Sequence, residues 1–270
     1  MAQVTRYRIH GLRDVAVPRL RIAVLSDFHA NRPFMGPRRL TRLVEQAHAL
    51  TPDLILLLGD YAGHVIGGRS LSPEEVAGPL STLRAPQGVV AVFGNHDWRN
   101  DPTPRPGDPL PTIWHQAFAA AGIPVLSNDA MMKDANGVPF QIAGLESQRA
   151  FKLRRPRRIR GEDDLPKVMR ALDPSNFTLL MAHEPDVFPD LDDSIDLTIS
   201  GHTHGGQIVP FGRPLIVPSR YGTRYAYGAC TEGRKQLIVS GGLGNTTLPF
   251  RIGRPPEIVV IDLIPPDGAA

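Results

Sequence analysis

Aspartate, asparagine and histidine side chains recur in five separated motifs along this chain of 270 residues. In order, the motifs are Asp27-Phe-His29, Gly59-Asp60, Gly94-Asn95-His96-Asp97, His183 and Gly201-His202-Thr-His204. Carboxylate, amide oxygen and imidazole suit Mn²⁺, Fe and Zn²⁺, whereas the single cysteine, Cys230, cannot build a thiolate site alone. Two cations roughly 3.5–4 Å apart can bind a phosphate and lower the pKa of a bridging water from ~15.7 toward ~7. The motifs therefore predict a two-metal phosphoesterase centre.

Each motif follows a short run of aliphatic and β-branched residues that predicts a buried strand. The predicted strands cover residues 22–25, 54–58, 89–93, 177–182 and 195–200, with further strands at 237–240 and 258–263. Helical spacing of apolar residues predicts helices at 38–50, 73–83, 114–121 and 164–172, the second with Ser72 as its N-cap. Strands joined by helices favour parallel pairing, and the ends of such strands meet at one edge of a sheet. We therefore expect the motifs to converge there, with Asp60 as the carboxylate that both cations share.

Length and composition indicate an α/β protein. The candidate ligands run from position 27 to 204, so we predict one domain, residues 1–270, rather than two. The 26 glycines and 27 prolines favour many short elements joined by tight turns. No apolar stretch approaches the ~20 residues that span a bilayer, and the amino terminus lacks the apolar core of a signal peptide. We expect a soluble, cytoplasmic protein.

The ordered motifs resemble those of the calcineurin-like metallophosphoesterase superfamily. Three longer segments resemble its bacterial YkuE- and YaeI-like phosphodiesterase branch: Met181-Ala-His-Glu-Pro-Asp-Val-Phe188, Ser200-Gly-His-Thr-His-Gly-Gly-Gln207 and Gly242-Leu-Gly-Asn-Thr-Thr-Leu-Pro-Phe250, the last continuing to Pro255-Pro-Glu-Ile258. The resemblance spans about the whole chain. It implies a four-layer αββα sandwich of two mixed β-sheets flanked by helices.

The same resemblance implies a role for each motif residue. The first cation would take Asp27, His29, Asp60 and His204, and the second Asp60, Asn95, His183 and His202. His96 would contact the phosphate and protonate the leaving oxygen, and we expect the Asp97 carboxylate to orient its ring. Two alternatives stay open: His96 could support a metal ligand instead, and Asp97 could be a helix N-cap or a turn residue.

Basic residues are unevenly distributed, although the net charge is only +3. Seven of them, with no acid among them, lie within residues 149–160: Arg149, Lys152, Arg154, Arg155, Arg157, Arg158 and Arg160. Three interpretations stay open: a solvated loop, contact with an anionic membrane or lipid head group, and nucleic-acid binding. The low aromatic content disfavours nucleic acid. Because Phe151 and Leu153 make the segment slightly amphipathic, we favour peripheral membrane contact over nucleic acid.

These observations predict a dinuclear metal-dependent phosphoesterase that acts by in-line attack of a metal-bridging hydroxide. The branch resemblance implies a phosphodiesterase, and we expect Mn²⁺ before Fe or Zn²⁺. The substrate would be a phosphate ester of a small molecule or a lipid, and no obligate protein partner is evident. One alternative is a lipid-linked nucleotide pyrophosphatase of the UDP-2,3-diacylglucosamine type. Another is a non-catalytic metal-binding scaffold, which is disfavoured because the ligand set is complete.

Overall fold

The computed structural model describes residues 1–101, 111–154 and 157–265. Its strands are β1 (Gln3–His10), β2 (Leu20–Leu25), β3 (Asn31–Arg32), β4 (Leu54–Leu57), β5 (Arg69–Ser70), β6 (Val89–Ala91), β7 (Asp129–Ala135), β8 (Val138–Leu145), β9 (Phe151–Arg154), β10 (Arg157–Arg160), β11 (Phe177–Ala182), β12 (Leu197–Ser200), β13 (Gly228–Glu232), β14 (Lys235–Val239) and β15 (Glu257–Ile264). Its α-helices are α1 (Pro37–Ala49), α2 (Pro73–Leu80), α3 (Asn95–Arg99), α4 (Ile113–Ala120) and α5 (Leu165–Ala171). Short 3₁₀-helices cover Pro185–Asp190, His204–Gly206 and Pro210–Gly212.

Two large mixed sheets carry the fold. The first has the strand order β1-β15-β2-β4-β6, in which β2, β4 and β6 run parallel. The second has the order β13-β14-β12-β11-β8-β7, in which β14, β12, β11 and β8 run parallel. Because parallel strands end at the same edge, the carboxyl ends of β2, β4 and β6 lie together, as do those of β11 and β12. These are the strand ends that precede the five motifs.

Apolar side chains on opposite faces of the sheets build the layers. In β2, Ile22 and Val24 belong to a cluster between the two sheets, whereas Ala23 and Leu25 pack with side chains of α1, α2 and α4. The outer face of the second sheet packs with Val168 of α5. The order of layers is helices, sheet, sheet, helix, and this confirms the predicted αββα sandwich.

Local sequence signals account for the helix boundaries. The Ser72 hydroxyl accepts a hydrogen bond from Glu75 N at 3.3 Å, and the Glu75 carboxylate accepts one from Ser72 N at 3.0 Å. This capping box begins α2 where the sequence predicts it. The strand β11 spans the predicted residues 177–182, and the predicted helices differ from the observed ones by no more than three residues at either end.

The predicted strands omit the short β3 and β5, the strands β1, β9, β10 and β13, and the hairpin of β7 and β8. The turn of that hairpin is Asn136-Gly137, and both residues have positive φ, +56° and +83°. This dipeptide is the strongest short-range hairpin signal, because a two-residue turn of this kind needs φ > 0 twice. The hairpin was not predicted because β7 alternates only weakly between polar and apolar residues, so its sequence does not indicate a strand.

Residues 151–154 and 157–160 form paired strands. Strands β9 and β10 pair antiparallel, and we call this pair the basic hairpin. Phe151 is buried with its ring centroid 5.7 Å from that of Trp98, and the partly buried Leu153 packs against the same core. These two apolar side chains therefore face the core, and membrane contact through the segment stays a prediction. Lys152, Arg158 and Arg160 are exposed, whereas Arg155 lies outside the described residues.

Candidate metal centre

The structure brings the seven predicted metal ligands to one end of the two sheets. In chain order, Asp27 and His29 follow β2, Asp60 follows β4, Asn95 follows β6, His183 follows β11, and His202 and His204 follow β12. None of them is more than 7% exposed. Buried polar groups are costly unless a partner compensates for lost hydration. Seven buried polar side chains at one place therefore indicate a bound partner that all of them contact.

Left-handed backbone conformations aim these side chains. Positive φ angles occur at five of the seven residues: Asp27 (+53°), His29 (+43°), Asp60 (+54°), His202 (+68°) and His204 (+53°). A residue other than glycine adopts this conformation rarely, at a cost of roughly 1–2 kcal/mol. Such strain concentrates at functional sites, where the surrounding fold holds it in place. The sharp turns project consecutive motif residues over the strand ends.

One oxygen of Asp60 lies between two groups of candidate ligands. Asp60 Oδ2 is 3.5 Å from His29 Nε2 and 3.3 Å from His183 Nε2. The other oxygen, Oδ1, accepts a hydrogen bond from His96 N at 2.8 Å, which fixes the carboxylate orientation. This is the placement that a carboxylate shared by two cations requires.

The remaining ligands divide on either side of Asp60. On the first side, His204 Nε2 lies 2.9 Å from His29 Nε2 and 3.5 Å from Asp27 Oδ1. On the second side, Asp60, His183 and His202 bring one ligand atom each within 4.8 Å of the others. Three members of each ligand set that the family resemblance implies thus lie together, Asp27, His29 and His204 in one group and Asp60, His183 and His202 in the other, and the sets themselves stay a prediction. Asp27 also approaches the second group, because its Oδ1 lies 4.0 Å from His183 Nε2.

Backbone carbonyls orient three of the histidine rings. His29 Nδ1 lies 3.1 Å from Ala62 O, and His183 Nδ1 lies 2.6 Å from Leu58 O. His202 uses its other nitrogen, Nε2, which lies 3.1 Å from Pro218 O. A nitrogen beside a carbonyl oxygen must carry a proton, so the opposite nitrogen of His29 and of His202 presents a lone pair to the centre, and that of His183 does so once its second proton has left. Metal-binding histidines in proteins are usually held in this way.

Ring nitrogens and side-chain oxygens that face each other in the centre are suited to bind cations between them. His183 Nε2 is buried and makes no hydrogen bond within the part of the chain that the structure describes, although it faces carboxylate oxygens of Asp27 and Asp60. The Asn95 amide and His202 Nδ1 lie 2.7 Å apart. If the amide nitrogen of Asn95 faces His202 Nδ1, it donates a hydrogen bond to the ring. If the amide oxygen faces Nδ1 instead, a lone pair of each atom points to the same place, as a bound cation requires. The donor set of oxygens and imidazole nitrogens suits divalent metals.

The structure corrects the placement of Asp97. Its carboxylate accepts hydrogen bonds from the backbone N–H groups of Asp60, Ala62 and Gly94, each at 2.8 Å. It therefore fixes the strained turn that carries Asp60, and does not lie against the His96 ring. The alternative of a turn residue describes Asp97 better. His96 Nδ1 is buried and has no hydrogen-bond partner among the described residues.

Burial and the two aspartates set the protonation of the metal-free centre. Burial lowers the pKa of His29 to about 3 and places the pKa values of His202 and His204 well below the usual range. Burial also acts to lower the pKa of His183, but the charges of Asp60 and Asp27 raise it well above its usual value. Burial raises the pKa of Asp27 to about 6. At neutral pH one proton therefore resides on His183, between the two carboxylates.

Arg251 is a residue of the centre that the sequence motifs do not identify. Its Nη2 lies 3.0 Å from His204 Nδ1, and its guanidinium also donates to Gly241 O at 2.7 Å and to Gly244 O at 2.8 Å. His204 thus differs from the other histidines, which face carbonyl oxygens. Gly244 N in turn donates to Asp27 O at 2.7 Å. Arg251 lies within the segment that carries the family resemblance, but nothing in its spacing marks it as a neighbour of His204.

The candidate ligands open into a cavity of about 600 Å³. His96, Arg99 and Arg149 line it beside the centre, and Lys152 of the basic hairpin also reaches it. Its lining also contains five aliphatic and aromatic residues, which we call the apolar wall: Leu215, Ile216, Leu248, Phe250 and Ile252. The sequence analysis did not find the wall, because short aliphatic runs indicate buried strands more often than exposed ones.

Comparison with known proteins agrees with this geometry. The sequence model of the calcineurin-like phosphoesterase family matches residues 20–206, a range that holds every candidate ligand. The chain belongs to the calcineurin-like phosphoesterase family. This confirms the resemblance on which the ligand sets depend.

Relatives of this calcineurin-like phosphoesterase match it over most of its length. The uncharacterized metallophosphoesterase YkuE of Bacillus subtilis is 30% identical over 94% of this chain and 84% of its own length. The phosphodiesterase YaeI of Escherichia coli is 29% identical over 97% of this chain and 88% of its own. A bovine transmembrane protein with a metallophosphoesterase domain is 27% identical over 90% of this chain and 53% of its own. Among the described residues of the present chain, no helix has the length and apolar character that a membrane crossing requires.

Proposed function

We propose that this protein is a dinuclear metal-dependent phosphodiesterase. The observation that carries the proposal is the position of Asp60 Oδ2, 3.5 Å from His29 Nε2 and 3.3 Å from His183 Nε2, between two groups of buried ligands. The ligands are assigned as Asp27, His29, Asp60 and His204 for one cation and Asp60, Asn95, His183 and His202 for the other. Mn²⁺ is the proposed metal, because this mixture of carboxylate, amide and imidazole admits it. The similarity to the phosphodiesterase YaeI supports a diester substrate.

The protein groups around the centre have separate tasks. When bound, the two cations would supply positive charge to the phosphate and acidify water. His96, at the inner end of the cavity, donates a proton to the leaving oxygen. Asp97 holds the Asp60 turn through three backbone N–H groups, and Arg251 holds His204 and the Gly241–Gly244 turn. Arg99 and Arg149 place positive charge at the cavity lining, where a phosphate would bind.

The basic hairpin is proposed to contact an anionic surface. Its exposed Lys152, Arg158 and Arg160 lie close together in sequence, and basic residues near an anionic bilayer contribute about 1 kcal/mol each. Phe151 is buried and Leu153 is partly buried against the core, so the exposed basic side chains carry the proposed contact. The proposed contact is therefore electrostatic and sensitive to salt.

Hydrolysis assays test the proposed activity. Protein stripped of metal and refilled with Mn²⁺, Zn²⁺ or Fe²⁺ is given bis-p-nitrophenyl phosphate and p-nitrophenyl phosphate in parallel. We expect activity that returns with metal and that is greater toward the diester. Preference for the monoester would contradict the diesterase assignment. No turnover with any metal, despite two ions bound per chain, would favour the scaffold alternative.

A further inference from the structure

The apolar wall exposes aliphatic and aromatic surface beside the metal centre. Its five residues are exposed to different degrees: Leu215 (66%), Ile216 (77%), Leu248 (37%), Phe250 (48%) and Ile252 (45%). A contiguous exposed apolar patch on a soluble surface usually marks a binding site. The wall lines the same cavity as His29, Asp60 and His96, so whatever covers it would also reach the centre.

Hydrogen bonds build the wall onto the metal-binding segment. Gln207, three residues after His204, donates through its side-chain nitrogen to Thr246 O, Leu248 O and Phe250 O at 3.0, 3.2 and 3.2 Å. Val209 N donates to Ile252 O at 2.8 Å, and Leu215 N donates to Ile208 O at 3.0 Å. The two loops of the wall are thus tied to each other. Their apolar side chains keep a fixed position relative to the centre.

The cavity lining contains two kinds of surface. Arg99 and Arg149 line it together with candidate metal ligands, and the five apolar residues of the wall line the same cavity. A small polar phosphate ester would contact the charged part of the lining and leave the wall in water. A phosphate carrying an aliphatic chain would satisfy both, because covering apolar surface is favourable in proportion to the area removed from water.

We propose that the apolar wall is a subsite for an aliphatic chain of the substrate, so that this enzyme acts on amphiphilic phosphodiesters. This proposal rests on the proposed phosphodiesterase function and narrows its substrate class. The phosphate lies at the metal centre, and the chain runs from it along Leu215, Ile216 and Phe250. A competing explanation for exposed apolar side chains is insertion into a bilayer. That explanation would give the largest part to Phe211, which is fully exposed and does not line the cavity.

Binding of alkylphosphonates to the Mn²⁺-loaded protein tests the subsite without requiring turnover. Methyl-, butyl- and octylphosphonate are titrated by calorimetry below their micellar concentrations. We expect the dissociation constant to fall by about twofold per added methylene, because a groove covers only one side of the chain. Equal affinity for the three ligands would overturn the proposal.

Matched variants separate the subsite from membrane insertion. In the double variant Leu215→Ser and Ile216→Ser, octylphosphonate should bind at least tenfold more weakly, while methylphosphonate binding is unchanged. Phe211→Ser, on the same surface but outside the cavity, should keep the wild-type dependence on chain length. Loss of that dependence in Phe211→Ser, or its persistence in the double variant, would contradict the proposal. Failure of the phosphodiesterase function would appear separately, as absent hydrolysis of bis-p-nitrophenyl phosphate.

Discussion

The metal centre and the apolar wall line one cavity but are built in opposite ways. The ligands of the centre are at most 7% exposed, and five of the seven hold strained left-handed backbone. The side chains of the wall are 37–77% exposed. Strain and burial are needed where atoms must be held in position for chemistry, whereas a binding surface needs only shape and exposed apolar area. The proposed functions follow this difference: the centre would carry out the reaction, and the wall would contact the substrate.

The largest loss of activity is expected on substitution of Asp60, the proposed ligand of both cations. Asp60→Asn should lower kcat/KM by at least about 10³-fold, because one shared ligand loses its charge and metal content falls. Metal analysis and diester hydrolysis measure both effects. Asp262→Asn is the matched control, since Asp262 only pairs with Arg21 at the surface, at 2.8 Å. Full metal content with normal activity in Asp60→Asn would refute the shared-ligand assignment.

His96 should affect chemistry without affecting metal. His96→Gln is expected to lower kcat by about 10²–10⁴-fold toward diesters with alkyl leaving groups, the range for a lost general acid. The loss should be smaller with p-nitrophenolate, which leaves without needing a proton. His10→Gln, at an exposed histidine outside the motifs, should behave as wild type. An equal loss with both leaving groups would show that His96 positions the phosphate and transfers no proton.

Gly244 tests how closely the backbone supports the centre. A Cβ at this position would lie 2.0 Å from Phe28 O, and neither backbone segment can withdraw without moving Asp27. Gly244→Ala should therefore cost about 1–3 kcal/mol of unfolding free energy and weaken metal binding. Gly78→Ala, in the exposed interior of α2 with open space around it, should instead stabilise the protein by about 0.5–1 kcal/mol. Thermal or denaturant unfolding distinguishes them, and an unperturbed Gly244→Ala would contradict the packing described.

The affinity of the centre for metal should depend on pH. The raised pKa of His183 means that its proton is present at neutral pH in the metal-free protein and must leave before the ring binds a cation. Affinity should therefore rise with pH, by about tenfold per unit for one displaced proton. Calorimetry in buffers of different ionisation enthalpy should detect the released proton. Affinity independent of pH between pH 6 and 8 would mean that His183 carries no proton in the metal-free protein.

The basic hairpin should give the smallest effect, and one that depends on salt. Arg158→Gln with Arg160→Gln should weaken binding to anionic vesicles by roughly fivefold per residue, or about 1 kcal/mol each, and leave hydrolysis of soluble diesters unchanged. Arg38→Gln with Arg42→Gln on α1 removes the same charge from another exposed surface and is the control. Equal effects of the two pairs would indicate net charge rather than a defined surface. Tighter binding to single-stranded nucleic acid than to vesicles would favour the alternative partner.

The convergence of the motif residues could be predicted because its signals are local. An apolar run followed by Asp, Asn or His defines both a buried strand and the side chain at its end, so the positions of Asp27, Asp60 and His183 after strands could be predicted from the sequence. Family resemblance then supplied the division of ligands between two cations. Asp97 was harder, since Asp at such a position can accept backbone N–H groups or orient a histidine, and only the fold shows the three N–H donors.

The surroundings of the centre could not be predicted in the same way. Arg251 lies 47 residues from His204 in the chain, and no periodicity connects them. The segment with Leu215 and Ile216 has the composition of a strand, yet these side chains are exposed because the loop folds over the cavity mouth. Phe151 shows the opposite difference between expectation and structure. It lies in a basic segment that suggests exposure, yet it is buried because one face of the hairpin packs toward Trp98. Exposure depends on tertiary contacts that sequence patterns do not encode.

Electron paramagnetic resonance of the Mn²⁺-loaded protein tests whether Asp60 joins two cations. If Asp60 joins two cations, the wild-type protein should bind two Mn²⁺ ions per chain and show the spectrum of an exchange-coupled pair. Asp60→Asn should lose the coupled spectrum and show isolated Mn²⁺ at reduced content. A wild-type protein that binds a single Mn²⁺, or two without coupling, would contradict a dinuclear centre built around Asp60.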